Sequence, residues 1–152
     1  MLQVAVAILP LYPEVQPDLV LAGIFLHDMG KTEELSYDMA FSYTDSGQLI
    51  GHIVKTVLMI NQKAEALRAK GTRIEEPVLD ALEHIILSHH GAFEFGSPKL
   101  PATAEAFMVY YIDDLDAKIN QVTMAITNEL GDSNWTAWKN ALQTRLYRKR
   151  IE

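Results

Sequence analysis

An adjacent histidine and aspartate, His27 and Asp28, end an apolar run at residues 19–26. An imidazole nitrogen and a carboxylate oxygen are ligands for a divalent cation such as manganese, iron, zinc or magnesium. Gly30 favours a sharp backbone turn after the pair, and the mobile cation of Lys31 would lie where a phosphate binds beside the metal. The alternative is a helix C-terminus, in which His27 and Lys31 complement the helix dipole and Gly30 is the cap.

Further candidate ligands stand on or beside apolar faces of other predicted helices. They are His52, His89, His90 and Asp113. Each alone would be a hydrogen-bonded core residue, but burying several imidazoles and carboxylates is costly, and a shared cation removes that cost. Because His89 and His90 point about 100 degrees apart on a helix, the sequence does not decide which of them is a ligand.

Three aspartates crowd the predicted helix around residue 113. We interpret Asp113 as the inward carboxylate and Asp114, which is within reach of Lys118, as a surface residue. Asp116 stays open between the two interpretations. His84 has no flanking ligand candidate and is interpreted as structural or surface.

The composition of the chain limits its function class. The 152 residues, of which 49% are hydrophobic, predict one globular domain. A net charge of -7 opposes autonomous nucleic-acid binding, which needs clustered Lys and Arg. The absence of cysteine excludes disulfides and Cys-based sites. No apolar run reaches the length of a membrane span and no secretory signal is visible, so we expect a cytoplasmic protein.

Hydrophobic periodicity predicts an all-α domain with one small β excursion. Helical spacing covers residues 2–11, 18–28 and 49–70, then a helix that restarts near 72–76 and ends at Gly91, and a helix over 102–130. Alternation near 35–45 predicts a short strand pair or an extended loop. The loop 93–101 is rich in aromatics and helix breakers, and would form one wall of a pocket.

The last stretch of the sequence is predicted to be a basic amphipathic helix. Its apolar positions are Trp135, Trp138, Leu142 and Leu146, and its cations are Arg145, Arg148, Lys149 and Arg150. The two tryptophans would dock on a partner, including a second copy of the chain, or pack back on the helices of their own domain. We adopt the second interpretation and leave a homo-oligomer open.

Six blocks in this order resemble the HD superfamily of metal-dependent phosphohydrolases, and most closely the C-terminal HD domain of the YhaM-type 3'-5' exoribonucleases. The blocks are 26–31, 34–37, 49–52, 86–91, 94–98 and 111–118. The similarity runs from about Tyr12 to Trp135. It implies an all-helical bundle with a small β-hairpin near 35–45.

The resemblance also implies a metal-dependent phosphodiesterase that hydrolyses single-stranded RNA or DNA. One metal ion would be bound by His27, Asp28 and Asp113, and His52 with His89 or His90 would bind a second metal ion or the substrate phosphate. Manganese is our first choice, with iron, cobalt, nickel, zinc or magnesium as alternatives.

The same resemblance assigns roles to single residues. Asp28 would also accept the proton of the attacking water, and Lys31 would hold a non-bridging phosphate oxygen. Phe93 and Lys99 would form a wall on which a base stacks, although a packed loop hinge is an equal alternative.

The sequence departs from the family pattern in two ways. HD domains use a further ligand histidine on the helix before the His-Asp pair, whereas residues 2–11 contain none, and the N-terminal OB-fold of the exoribonucleases has no counterpart here. We therefore expect an HD domain that lacks part of its first helix. The alternatives are a hydrolase of nucleotides or small phosphomonoesters and a non-catalytic regulatory HD module.

Overall fold

The computed structural model describes residues 1–149, and it contains two compact units. The first comprises residues 1–113 and the second begins at Asp114. The units are described separately below. Among the described residues, none of the helices combines the length and the apolar character needed to span a membrane.

The secondary structure of residues 1–149 is mostly helical. The helices are α1 (Leu2–Ile8), α2 (Pro17–Leu26), α3 (Lys31–Glu34), α4 (Asp45–Ile50), α5 (His52–Arg68), α6 (Glu76–Ser88) and α7 (Ala104–Thr127). Short 3-10 helices cover Leu9–Leu11, Phe93–Phe95 and Asn140–Leu142. The strands β1 (Leu35–Tyr37) and β2 (Phe41–Tyr43) form an antiparallel hairpin in which Leu35 pairs with Tyr43. The prediction of an all-α fold with a small hairpin is confirmed.

The helix predicted over 49–70 is interrupted at Gly51. Its φ of 76° lies in the left-handed region, which favours glycine and ends α4. The backbone N–H of His52 then donates to Oε1 of Glu34 at 3.0 Å instead of continuing a single helix. The break makes His52 the first residue of α5 and ties that helix end to α3.

The core of the first unit is formed by α1, α2, α6 and the first half of α7. Its buried members are Ala5, Leu9, Val15, Val20, Ile24, Ile85, Ala106, Val109 and Ile112. Glycine at position 23 lets the helices approach closely, because a Cβ there would lie 2.7 Å from Cγ2 of Ile85 and 3.3 Å from Cγ2 of Val109. This packing fixes the C-terminal ends of α2 and α6 next to each other.

Gly30 is required for a close approach between α3 and α5. Its φ of −60° is helical, so a left-handed turn is not the reason for glycine here. A Cβ at this position would overlap the carbonyl oxygen of His52 and lie 2.8 Å from Oγ1 of Thr56. Oγ1 of Thr56 instead accepts from the Gly30 N–H at 2.8 Å and donates to the His52 carbonyl at 2.8 Å. Thr56 thus bonds the chain after the His-Asp pair to the helix that carries His52.

The predicted C-terminal helix is wrong. Within residues 128–149 no α-helix follows α7, and the chain folds back on itself through isolated antiparallel bridges that pair Trp135 with Tyr147 and Lys139 with Thr144. Gln143 has a φ of 53°, which reverses the chain after Asn140–Leu142. Arg150 of the predicted helix lies outside the described residues.

The apolar spacing of this stretch misled the prediction because it suits a helix but does not require one. The guanidinium of Arg148 donates to the backbone carbonyls of Glu129, Gly131 and Ser133 at 2.7–3.1 Å. These are long-range bonds to a loop, and no local pattern in the sequence predicts them. They hold the returning segment against the loop that follows α7.

Replacing Thr56 with Val should destabilise the first unit by about 1–3 kcal/mol, because the isosteric side chain leaves the Gly30 N–H without its partner in a fully buried position. Thr56→Ser keeps the hydroxyl and should lose only about 1 kcal/mol for the missing methyl group. Urea unfolding of both variants measures the difference. Equal stability of Thr56→Val and the parent chain would show that the bond does not hold α3 to α5.

His84 should titrate below its usual value of 6.5, because burial and the charge of Lys99 lower its pKa and its Nε2 accepts the Ala102 N–H at 2.9 Å. The unfolded chain then binds the proton first, so this contribution to stability is complete above pH 6.5 and is lost as the pH falls below that value. Histidine NMR titration checks the pKa. Lys99→Met should move it upward, and a His84 pKa above 6.5 in the parent chain would contradict this account.

Candidate metal centre

Four histidines lie together at the ends of three helices in the first unit. His27 caps the C-terminus of α2, His52 begins α5, His89 caps the C-terminus of α6 and His90 follows it. The ring centroid of His89 is 5.0 Å from that of His27, 5.8 Å from that of His52 and 4.4 Å from that of His90. The structure therefore brings together all four histidines that the sequence singled out.

Each of the four imidazoles is held by a hydrogen bond through Nδ1. The acceptors are the carbonyl of Ile24 for His27, the carbonyl of Ile86 for His89, the carbonyl of Phe95 for His90 and the Glu34 carboxyl for His52, at 2.7–3.2 Å. A carbonyl or carboxylate oxygen accepts, so Nδ1 carries the hydrogen, and Nε2 presents a lone pair when the ring is neutral. This orientation is typical of metal-binding histidines.

Glu34 is the positioning residue that sequence reasoning missed. Its Oε1 accepts from both the backbone N–H and the ring Nδ1 of His52, at 3.0 and 3.2 Å. The residue is 8% exposed, which is rare for a glutamate without a structural partner. Glu34 opens one of the six blocks that carry the family resemblance, so the signal was present in the sequence without a role attached to it.

Asp28 is the carboxylate at the centre of the histidines. Its Oδ2 lies 3.4 Å from Nε2 of His27 and 2.7 Å from Nζ of Lys31, and its Oδ1 lies 3.4 Å from Nε2 of His52 and 3.9 Å from Nε2 of His89. Burial opposes its charge, but the hydrogen bonds and positive charges of His27 and Lys31 outweigh burial and hold its pKa well below the usual range. The carboxylate is therefore ionised at neutral pH.

Three inward atoms of this cluster are buried and lack a hydrogen-bond partner among the described residues. They are Oδ1 of Asp28, Nε2 of His52 and Nε2 of His89. With Nδ1 protonated, the close pair formed by Oδ1 of Asp28 and Nε2 of His52 joins two acceptors, whose lone pairs repel. Leaving such atoms unpaired costs free energy, and a cation between them removes that cost.

The donors fit a cation in two overlapping sets of three. One set is His27, Asp28 and His89, the other is His52, His89 and His90, and within each set the ligand atoms lie within 4.8 Å of one another. Nitrogen and carboxylate donors suit zinc and the first-row transition metals. His89 belongs to both sets, but its Nδ1 is bonded to the Ile86 carbonyl, so its free Nε2 would bind one cation at a time.

Burial and neighbouring charges shift the pKa values of the other groups in the cluster. Burial lowers the pKa of His89 to about 3, so its imidazole is neutral. Burial also lowers the pKa of His27, but the hydrogen bond to Asp28 and the negative charges of Asp28 and Asp113 outweigh it and raise the value. Burial raises the pKa of Asp113. A positive charge at His27 or beside it thus stabilises the carboxylates of Asp28 and Asp113.

Three other predicted site residues, Asp113, Phe93 and Lys99, lie at the edge of the histidine cluster or do not contact it. Oδ1 of Asp113 is 3.7 Å from Nε2 of His27, so Asp113 reaches the cluster through His27. Phe93 is 65% exposed and begins the 3-10 helix Phe93–Phe95. The carbonyl of Phe95, at the end of that helix, accepts the hydrogen bond from His90. Lys99 lies beside His84, and within residues 1–149 no hydrogen bond or ion pair joins it to the four histidines.

In the second unit, Asp114 pairs with Lys118 at 2.9 Å, which is the surface role that the spacing of the two residues predicted.

Comparison with known proteins assigns the chain to a family. The HD domain profile matches residues 1–118. The "3'-5' exoribonuclease YhaM" of Geobacillus sp. (strain WCH70) is 44% identical over 151 residues, which are 99% of this chain and 45% of that protein. The proteins of the same name from Bacillus subtilis (strain 168) and Bacillus pumilus (strain SAFR-032) are each 42% identical over 149 residues, which are 98% of this chain and 46% of each relative.

The chain spans about half the length of the curated relatives that it matches. No solved structure shows significant similarity to it. The family profile covers most of the chain, including all four histidines, Asp28 and Asp113, and the chain therefore belongs to the HD domain family.

Proposed function

We propose that this chain is a metal-dependent phosphodiesterase that hydrolyses single-stranded nucleic acid from the 3' end. The observation that carries the proposal is the set of unpaired inward atoms on Asp28, His52 and His89. These acceptor atoms would hold a divalent cation, and the cation would supply the positive charge that hydrolysis needs, because a phosphodiester repels its nucleophile. The relatives named as exoribonucleases support the choice of RNA as the substrate class.

We assign the metal-binding residues as follows. His27 and Asp28 hold one divalent cation, with Asp113 and His89 as the neighbours that complete its protein ligands. His52 and His90, whose ring centroids are 5.2 Å apart, hold a second cation or the substrate phosphate. Manganese remains our first choice, with iron, cobalt, nickel, zinc and magnesium as alternatives, since mixed His and carboxylate sites bind all of them.

A divalent cation in this site lowers the pKa of a water molecule and screens the charge of the phosphodiester. The protein supplies the other steps. Asp28, ionised at neutral pH, accepts the proton of the attacking water through the oxygen that faces His52. Lys31, 44% exposed in its side chain, exchanges its bond to Asp28 for a non-bridging phosphate oxygen.

The exposed ring of Phe93 offers a face for the terminal base. Lys99, six residues along the same loop, would bind a phosphate of the next nucleotide. With these two assignments, the single-stranded nucleic acid would lie along residues 93–101.

The substrate class can be tested with three phosphate compounds. We expect turnover of bis(p-nitrophenyl) phosphate and of short single-stranded RNA in the presence of manganese, and none of p-nitrophenyl phosphate. Turnover of the monoester alone would favour a nucleotide phosphohydrolase. Stoichiometric metal without turnover of any of the three would favour a regulatory HD module.

Replacing Asp28 with Ala should abolish hydrolysis and the binding of the cation held by His27 and Asp28, because it removes the only carboxylate within 4 Å of three imidazoles among the described residues. Elemental analysis and the manganese-supplemented diesterase assay measure the two losses, and circular dichroism should show unchanged helicity. Asp114→Ala is the matched control, since that carboxylate pairs only with Lys118 in the described part of the chain. A fully active Asp28→Ala variant would refute the proposed centre.

Replacing Lys31 with Met should leave the metal content unchanged and lower the rate of RNA hydrolysis by about 100-fold. The reason is that the variant lacks the cation that contacts a non-bridging oxygen of the phosphate under attack. Elemental analysis alongside single-turnover kinetics separates the two effects. Lys63→Met removes an exposed cation on α5 and should match the parent chain. Loss of metal in Lys31→Met would instead assign Lys31 to holding Asp28 in place.

A further inference from the structure

The second unit carries a folded-back segment, residues 135–149, which we call the terminal hairpin. Trp135 pairs with Tyr147, and their ring centroids are 5.1 Å apart. Thr136 is buried between the two arms, where its N–H donates to the Leu146 carbonyl at 2.9 Å and its Oγ1 accepts the Leu146 N–H at 3.0 Å. These bonds make the terminal hairpin a defined surface within its unit.

Two charged residues of the terminal hairpin form bonds that hold the second unit together. Arg148 binds three backbone carbonyls of the loop that follows α7, and Lys139 pairs with Glu129 at 2.5 Å. The hydrogen bonds from Lys139 and from the Ala137 N–H also lower the pKa of Glu129. These groups are therefore structural.

Two other cations of the terminal hairpin have no structural use. Arg145 and Lys149 are exposed, and no ion pair or side-chain hydrogen bond involves either within residues 1–149. The sequence places five of its 13 Lys and Arg residues in positions 139–150, without an acidic residue among them, although the whole chain has a net charge of -7. A positive surface in an acidic protein indicates an anionic partner.

The terminal hairpin also exposes aromatic rings. Trp135, Trp138 and Tyr147 are 51%, 55% and 43% exposed. Both tryptophans of the chain are in the terminal hairpin. Large rings usually bury most of their area, so several half-exposed rings on a segment that also carries exposed cations indicate a surface that a ligand covers.

We propose that the terminal hairpin is a binding site for single-stranded nucleic acid. Bases stack on Trp138 and on the exposed edge of the Trp135–Tyr147 pair, while Arg145 and Lys149 contact backbone phosphates. A single strand offers π faces and regularly spaced negative charges in one ligand, which matches both features of this surface. The inference takes its ligand class from the proposed function but assigns binding to residues outside the metal centre.

Tryptophan fluorescence tests the site directly, because both reporters lie in it. The full chain is titrated with an oligouridylate of about 12 nucleotides in EDTA, which stops metal-dependent cleavage. We expect saturable quenching that weakens as salt is added. Polyphosphate serves as an anion of similar charge density without bases.

Trp138→Ala should weaken binding about fivefold or more, measured by fluorescence anisotropy of a labelled strand, since it removes one stacking base contact. Arg145→Ala with Lys149→Ala should weaken binding and reduce the salt dependence of log K by about 1.4, the value for two phosphate contacts on a single strand. The double variant Lys63→Ala with Lys70→Ala removes the same charge from exposed positions of the first unit and should bind like the parent chain.

Three results would overturn the proposal. The first is no quenching by oligouridylate. The second is equal quenching and affinity with polyphosphate, which would assign the surface to charge alone, as for an acidic protein partner. The third is equal binding by the Arg145/Lys149 and Lys63/Lys70 variants. Because binding is measured without turnover, a chain that binds the strand but does not hydrolyse it would contradict only the proposed activity.

Discussion

The structure of the first unit depends on a repulsive contact, in which lone pairs of several imidazoles and a carboxylate face one another at short distance. Oδ1 of Asp28 and Nε2 of His52 are 3.4 Å apart and neither has a hydrogen-bond donor among the described residues. Folding brings these groups together only because other interactions hold each of them from behind. A cation between them removes this repulsion. Cation binding is therefore coupled to the stability of the site.

The supports behind the cluster are backbone groups at helix ends. An α-helix leaves its last carbonyls without intrahelical partners, and the carbonyls of Ile24 and Ile86 are used to bind the Nδ1 atoms of His27 and His89. The same helix ends are packed against each other at Gly23 and Ile85. Precision in the site therefore comes from the core, because a shift of α2 against α6 would separate the two rings.

The described part of the second unit is held together by bonds between cations and backbone carbonyls. Arg148 and Lys139 hold its loop and returning segment together, and the aromatic rings remain half exposed. A unit of this kind keeps its large side chains available for binding.

Residue types and periodicity determined the helical fold, the hairpin near 35–45 and the choice of His27, Asp28, His52, His89 and His90, because apolar spacing and the order of six motif blocks are properties of the chain itself. The tertiary structure decided how these residues meet. It interrupts the helix at Gly51, adds Glu34 behind His52 and gives His89 to both donor sets. It also replaced the expected C-terminal helix with a hairpin, since the bonds of Arg148 to the preceding loop are long-range and leave no local pattern in the sequence.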